Sequence, residues 1–127
     1  METLSHRISV DTGRKLVEVR LSGMLTPEDV AWIGEEVRAA VRSLGDAVGK
    51  HLTLYDASDV PVVPPATIAL LQQTWANPEV RALWAQKVAF VVGTALGKMQ
   101  VNRLREGMDH ISVFEDRKAA MEWLLKD

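Results

Sequence analysis

Apolar positions change their period along the chain, and each change marks an element. Over residues 4–10, Leu4, His6, Ile8 and Val10 fall on one side, the partial alternation of a first strand. Asp11-Thr12-Gly13-Arg14 is suited to a tight reversal. Over residues 16–21, Leu16, Glu18 and Arg20 then oppose Val17, Val19 and Leu21, so a β-hairpin is expected. Beyond it the period lengthens. Thr26-Pro27-Glu28-Asp29 supplies a hydroxyl cap, a proline at the first helical position and carboxylates in the positive first turn. Val30, Ile33, Val37, Val41 and Leu44 follow at spacings of three and four, the stripe of a helix that faces a core. Gly45 and Gly49 close that helix.

Residues 51–56 are an apolar, β-rich run that ends in aspartate, within the string Asp56-Ala57-Ser58-Asp59. Pro61, Pro64 and Pro65 cannot sit in a central strand, so a loop leads from there into a helix over about residues 65–76. Asn77-Pro78-Glu79 reads as a second cap, opening a short turn through Val80, Leu83 and Trp84. Residues 88–92 are continuously apolar, as in a strand covered on both faces. Gly93-Thr94 interrupts them, and a helix is expected over residues 95–106, with a last strand at 110–114 and a last helix at 115–126. The order is β-β-α-β-α-β-α-β-α. It specifies an α/β protein with one mixed sheet under helical cover.

Composition narrows the chemistry more than the fold. A length of 127 residues, 47% hydrophobic and 25% charged, is that of a single globular domain, here 1–127. The net charge of −2 supplies no general attraction for nucleic acid. With no cysteine there are no disulfides, thiolates or sulfur-based zinc sites, as suits a reducing compartment. Glu2, His6 and Arg7 interrupt any leader-like apolar stretch, and no run approaches a membrane span. A cytoplasmic protein without cofactor or metal is expected.

The candidate sites are few. Asp56 and Asp59 flank the carboxyl end of a strand, where α/β proteins place ligands. Together with Thr94 they resemble the phosphoryl-accepting receiver arrangement. That chemistry also needs an acidic pair after the first strand and a lysine just after the fifth, and neither is present. Turn formation by Asx side chains is the simpler account. Gly93-Thr94-Ala95-Leu96-Gly97-Lys98 is one residue short of a P-loop, and Met99 stands where a magnesium-binding hydroxyl is required. Thr94 and Lys98 leave only a looser anion site at a helix start. His6, His51 and His110 are scattered without partners, and no nucleophile–base arrangement occurs, so no catalytic residue is assigned. Among the tryptophans, Trp123 belongs to the apolar side of the last helix and Trp32 falls off the stripe of the first. Trp75 and Trp84 bracket the irregular stretch after the second helix. Large apolar groups near the same loops point to a partner or ligand surface.

Several strings resemble the SpoIIAA-like branch of the STAS domains. Ser22-Gly23-Met24-Leu25-Thr26-Pro27-Glu28-Asp29 is similar to its strand-to-helix passage, and Leu52-Thr53-Leu54-Tyr55-Asp56 to its third strand. Val113-Phe114-Glu115-Asp116 with Ala119-Ala120-Met121-Glu122-Trp123-Leu124 is similar to its closing strand and helix. The resemblance covers nearly the whole chain and implies a non-enzymatic module that associates with proteins, a second copy included, or binds a small ligand. It has one departure. Where anti-sigma antagonists of that superfamily carry a phosphorylatable serine, this chain has Pro64-Pro65-Ala66-Thr67, with Thr67 the only hydroxyl. A serine switch is therefore not expected. A broader likeness to CRAL-TRIO domains, with Trp75, Leu83 and Trp84, supports a carrier or sensor of an apolar, lipid-like ligand as an alternative. A minor enzyme using Asp56 or Asp59 is a further one. A deep apolar pocket favours the carrier, a pocket holding both carboxylates the enzyme, and a flat apolar patch protein association.

Overall fold

The computed structural model describes residues 5–126. Its five strands form one mixed sheet in sequential order. β1 (Ser5–Asp11) and β2 (Leu16–Ser22) make the antiparallel hairpin. β2, β3 (Leu52–Asp59), β4 (Lys87–Val92) and β5 (Ile111–Phe114) run parallel. Leu4, placed by the alternation in the first strand, lies outside the described residues. The reversal takes up residues 12–15. Lys15 accepts the left-handed conformation at φ 55°, and the Asp11 carboxylate accepts the Arg14 N–H at 3.1 Å.

Each parallel pair is joined by a crossover. α1 (Pro27–Arg42) links β2 to β3; α2 (Pro65–Ala76) and the single turn α3 (Pro78–Arg81) link β3 to β4; α4 (Ala95–Leu104) links β4 to β5. Every crossover steps one strand in the same direction, so the right-handed rule sets all these helices on one face of the sheet. α5 (Arg117–Leu125) returns over the opposite face and packs on β3, β4 and β5.

Local chemistry sets the boundaries. Thr26 and Asp29 form a reciprocal capping box at the start of α1, with the Asp29 N–H 3.2 Å from the threonine hydroxyl. α1 buries Val30, Ile33 and Val41 and leaves Trp32, off the stripe, 61% exposed. β3 runs past residue 56, because parallel pairing continues through Ala57 to Val92 and Ser22 to Asp59. α4 stops short of residue 106 and is followed by Gly107 at φ 81°. α5 begins later than expected because the Asp116 carboxylate caps it, accepting from the N–H groups of Lys118 and Ala119. At the end of β4, a Cβ on Gly93 would collide with the Ser58 carbonyl oxygen, so this close approach to β3 requires glycine.

Alternation divides the apolar residues between the faces. Val17, Val19 and Leu21 meet Val30, Ile33 and Val41 beneath the crossover helices. Leu16, Leu54, Ala89 and Val91 meet Ala120 and Leu124 of α5. Among the described residues, no helix is long and apolar enough to cross a membrane.

Candidate functional site

The crossover helices do not close down on the sheet. Between them lies a cavity of about 190 Å³. Its floor consists of cross-strand pairs that alternation turns toward the helices: Thr53 with Val88, Tyr55 with Phe90, and Ala57 with Val92. α1 contributes Ile33 and Val37 to the roof, α2 Leu71 and Trp75, and α4 Val101 and Leu104. Within α2 only Thr67 is fully buried, although the helix is rich in apolar residues; Ile68, Leu71 and Trp75 are half-buried and line the space. Such a lining, predominantly apolar with few polar groups, is the usual character of a small-molecule site.

The polar groups gather toward the amino-terminal ends of β3 and β4. Tyr55 stacks on Phe90 with ring centroids 4.8 Å apart, and Trp75 leans on the same Phe90 at 5.9 Å. Burial pushes the Tyr55 phenol up to about 12, while the charge of nearby Arg38 pulls it the other way. The phenol hydroxyl has no hydrogen-bond partner among the described residues. Arg38 lines the cavity from α1 and gives one amino group to Glu35 at 2.6 Å. The His110 ring lies tilted against Trp84 at 4.6 Å, and its buried Nε2 has no partner among the described residues. Burial holds the His110 imidazole below its ordinary pKa, with Asp109 opposing, so the neutral ring is favoured. At the other end, the Gln100 side-chain amide grips the Val63 backbone both ways, donating at 2.8 Å and accepting at 3.2 Å. The Thr94 hydroxyl donates to Pro61 at 3.2 Å. The proline loop is thus tied to α4.

By sequence the chain matches no family model and no curated protein. By structure it superposes on an uncharacterized protein from the DUF3478 family with a SpoIIAA-like fold, from Shewanella loihica PV-4. The match has a TM-score of 0.67 over 98% of each chain, at 16% identity. The fold is SpoIIAA-like.

Within this SpoIIAA-like fold the residues singled out by the sequence separate into groups. Trp75 and Trp84 both line the cavity, each half-buried. Thr67 is fully buried at the start of α2 and donates its hydroxyl to the Leu25 carbonyl at 2.9 Å, tying α2 to the approach to α1. Thr94 is the N-cap of α4, accepting the Gly97 N–H at 2.9 Å. Lys98 is exposed and pairs with Glu115 at 3.4 Å. Asp56 shares the sheet face of α5, not that of the cavity. It is 5% exposed, accepts the Ser58 N–H and hydroxyl at 3.2 and 2.7 Å, and lies 3.7 Å from Arg20. Asp59 is exposed at the end of β3, and neither aspartate lines the cavity. Among the described residues, no cluster of His, Asp and Glu is arranged to hold a metal ion.

The sequence did not single out Tyr55, Phe90, Arg38 or Gln100. One signal was present for Arg38. It follows Val30 and Gly34 at successive steps of four, which puts a guanidinium and a glycine on the border of an apolar stripe. No comparable signal marked Tyr55, because one position in an alternating strand looks like any other core position.

Proposed function

We propose that the chain is a single, non-enzymatic STAS-like domain that carries or senses a small apolar ligand held between the sheet and α1, α2 and α4. The observation that supports this reading is the apolar cavity of about 190 Å³ with Trp75 and Trp84 in its wall. A cavity of about 150 Å³ lined by apolar side chains already admits benzene. The space here suits a guest of roughly eight to ten non-hydrogen atoms. An enzyme built on Asp56 and Asp59 has less support, since its carboxylates lie apart from this space.

Calorimetric titration with octan-1-ol tests the reading. Saturable one-to-one binding is expected, and Ala57→Leu, which fills the floor, should abolish it while the fold is kept. Absence of saturable binding, or binding that survives the filled floor, would overturn the proposal.

Association with a protein, a second copy included, is a second reading. Its support is the exposed apolar group formed by Val62 on the proline loop with Leu96 and Met99 on α4, 37%, 49% and 64% exposed. Sedimentation of the wild type beside Met99→Lys tests it: a wild-type dimer dissociated by the charge supports the reading, and a wild-type monomer at high concentration removes the self-association form.

A further inference from the structure

We propose that the ligand of this cavity is a small apolar acid, whose carboxylate is received by Arg38 and the Tyr55 hydroxyl while its apolar body lies along the Phe90 floor. The inference rests on the proposed ligand-binding reading and adds the chemistry of the head group. Three features of the structure carry it.

The first is an unused donor. The Tyr55 hydroxyl belongs to a cavity-lining side chain and has no hydrogen-bond partner among the described residues. A donor that opens onto an apolar cavity gains a hydrogen bond when a ligand brings an acceptor. The second is a guanidinium placed beside an apolar cavity. Arg38 is largely shielded, with its side chain 22% exposed, and Glu35, the carboxylate it pairs with, is 71% exposed. Only Nη2 is engaged by that pair, at 2.6 Å, so Nη1 and Nε have capacity to spare. A ligand carboxylate would complete a charge-assisted contact of the type guanidinium favours.

The third is Gly34. Glycine inside a helix costs roughly 0.5–1 kcal/mol relative to alanine, so its position in the middle of α1 calls for a local reason. A Cβ at residue 34 would stand 3.2 Å from Arg38 Nη1. Gly34 itself lines the cavity. The glycine is a notch in which the guanidinium lies back along the helix toward the space. Toward the other end of the floor the walls are Ala57, Val92 and Val101, and the polar neighbour there, Gln100, is uncharged and has its amide already engaged by the Val63 backbone. An amphipathic guest is therefore oriented, its head toward Arg38 and Tyr55.

Paired titrations with octanoate and octan-1-ol separate this proposal from the one beneath it. Octanoate is expected to bind at least about tenfold more tightly than octan-1-ol, the scale of a charge-assisted hydrogen bond. Arg38→Gln should remove the preference while leaving the alcohol's affinity as it was, and Arg38→Lys should keep part of it. Tyr55→Phe, which removes one oxygen, should weaken octanoate several-fold and spare octan-1-ol. Equal binding of acid and alcohol, or a preference that survives Arg38→Gln, would overturn the acid head and leave the apolar cavity standing. Failure of both probes to bind would overturn both proposals.

Discussion

The two faces of the sheet are built from the same strands and packed differently. Beneath α5, Leu54, Ala89 and Ala120 are fully buried, and Val91 and Leu124 are 2% exposed. One short helix seals the centre of that face, with Leu52, Phe114, Met121 and Trp123 half-buried around it. Beneath α1, α2 and α4, far more helix covers the sheet, yet Tyr55, Phe90, Ile68, Leu71 and Trp75 remain half-buried around a cavity. The amount of cover therefore does not decide how well a face is packed. Close packing is where an interior gains its dispersion energy, and a void forfeits those contacts. The sealed face supplies cohesion, and the other face keeps room for a guest.

Truncation on each face makes the largest test of this contrast. Leu54→Ala should cost about 2–5 kcal/mol, because a fully buried leucine leaves an empty hole in a packed layer. Leu71→Ala removes the same atoms from a wall that already faces open space. It should cost about 1 kcal/mol, below the usual range for packed sites. Urea unfolding of both variants measures the difference. Equal losses would mean that the α2 side is a packed core in solution, and the contrast between the faces would be gone.

This contrast was only half legible in the sequence. Alternation in β2 and the continuous apolar run of β4 depend on which sides of a strand are covered, and the order of elements along the chain followed from them. The capping residues Thr26 and Asn77 marked helix starts because a cap is a local hydrogen bond. At α5 the acidic pair Glu115-Asp116 resembles a helical first turn, whereas Asp116 is the cap and the helix starts at Arg117. A cavity is not a local property. It is the difference between what the roof and floor side chains fill and the spacing of the elements that carry them. Trp75 and Trp84 stood out as large groups near an irregular stretch, whereas Tyr55 and Arg38 depend on the register of β3 against α1. Asp56 drew notice for its place at a strand end, but strand parity turns it to the opposite face, where Arg20 and Ser58 engage it.

Thr67 offers a smaller effect on the same contrast. It is the one α2 residue that is fully buried, so α2 is fastened at its start by a hydroxyl rather than along its length by apolar packing. Thr67→Val keeps the shape and leaves the Leu25 carbonyl without that donor. A loss of about 1–2 kcal/mol is expected, together with faster amide exchange confined to α2. Uniform acceleration across the sheet would show instead that α2 unfolds only with the whole molecule. The same burial means that a kinase should add no phosphate to folded protein, and intact-mass measurement checks this. Stoichiometric phosphorylation of Thr67 would show that the start of α2 opens.

The smallest effect expected is on the dependence of stability on pH, and it distinguishes the regions through two histidines. His51 is fully buried outside the cavity, where its Nδ1 accepts the Gly49 N–H at 3.1 Å. His110 is in the cavity wall. Burial lowers both pKa values from the ordinary 6.5, opposed by the Ala47 backbone at His51 and by Asp109 at His110. A lowered folded-state value means that the unfolded chain takes up protons the folded chain resists. The stabilising contribution is therefore complete above about pH 6.5 and is lost as pH falls through the lowered values. Urea unfolding between about pH 7.5 and about pH 5.5 should show that loss, and His51→Asn and His110→Gln should each flatten it. Octan-1-ol sharpens the comparison. A guest that strips water from the cavity should lower the His110 value further and leave His51 unchanged, as imidazole proton resonances can follow separately. A shift at His51 equal to that at His110 would mean that the guest tightens the whole molecule and not the cavity wall alone.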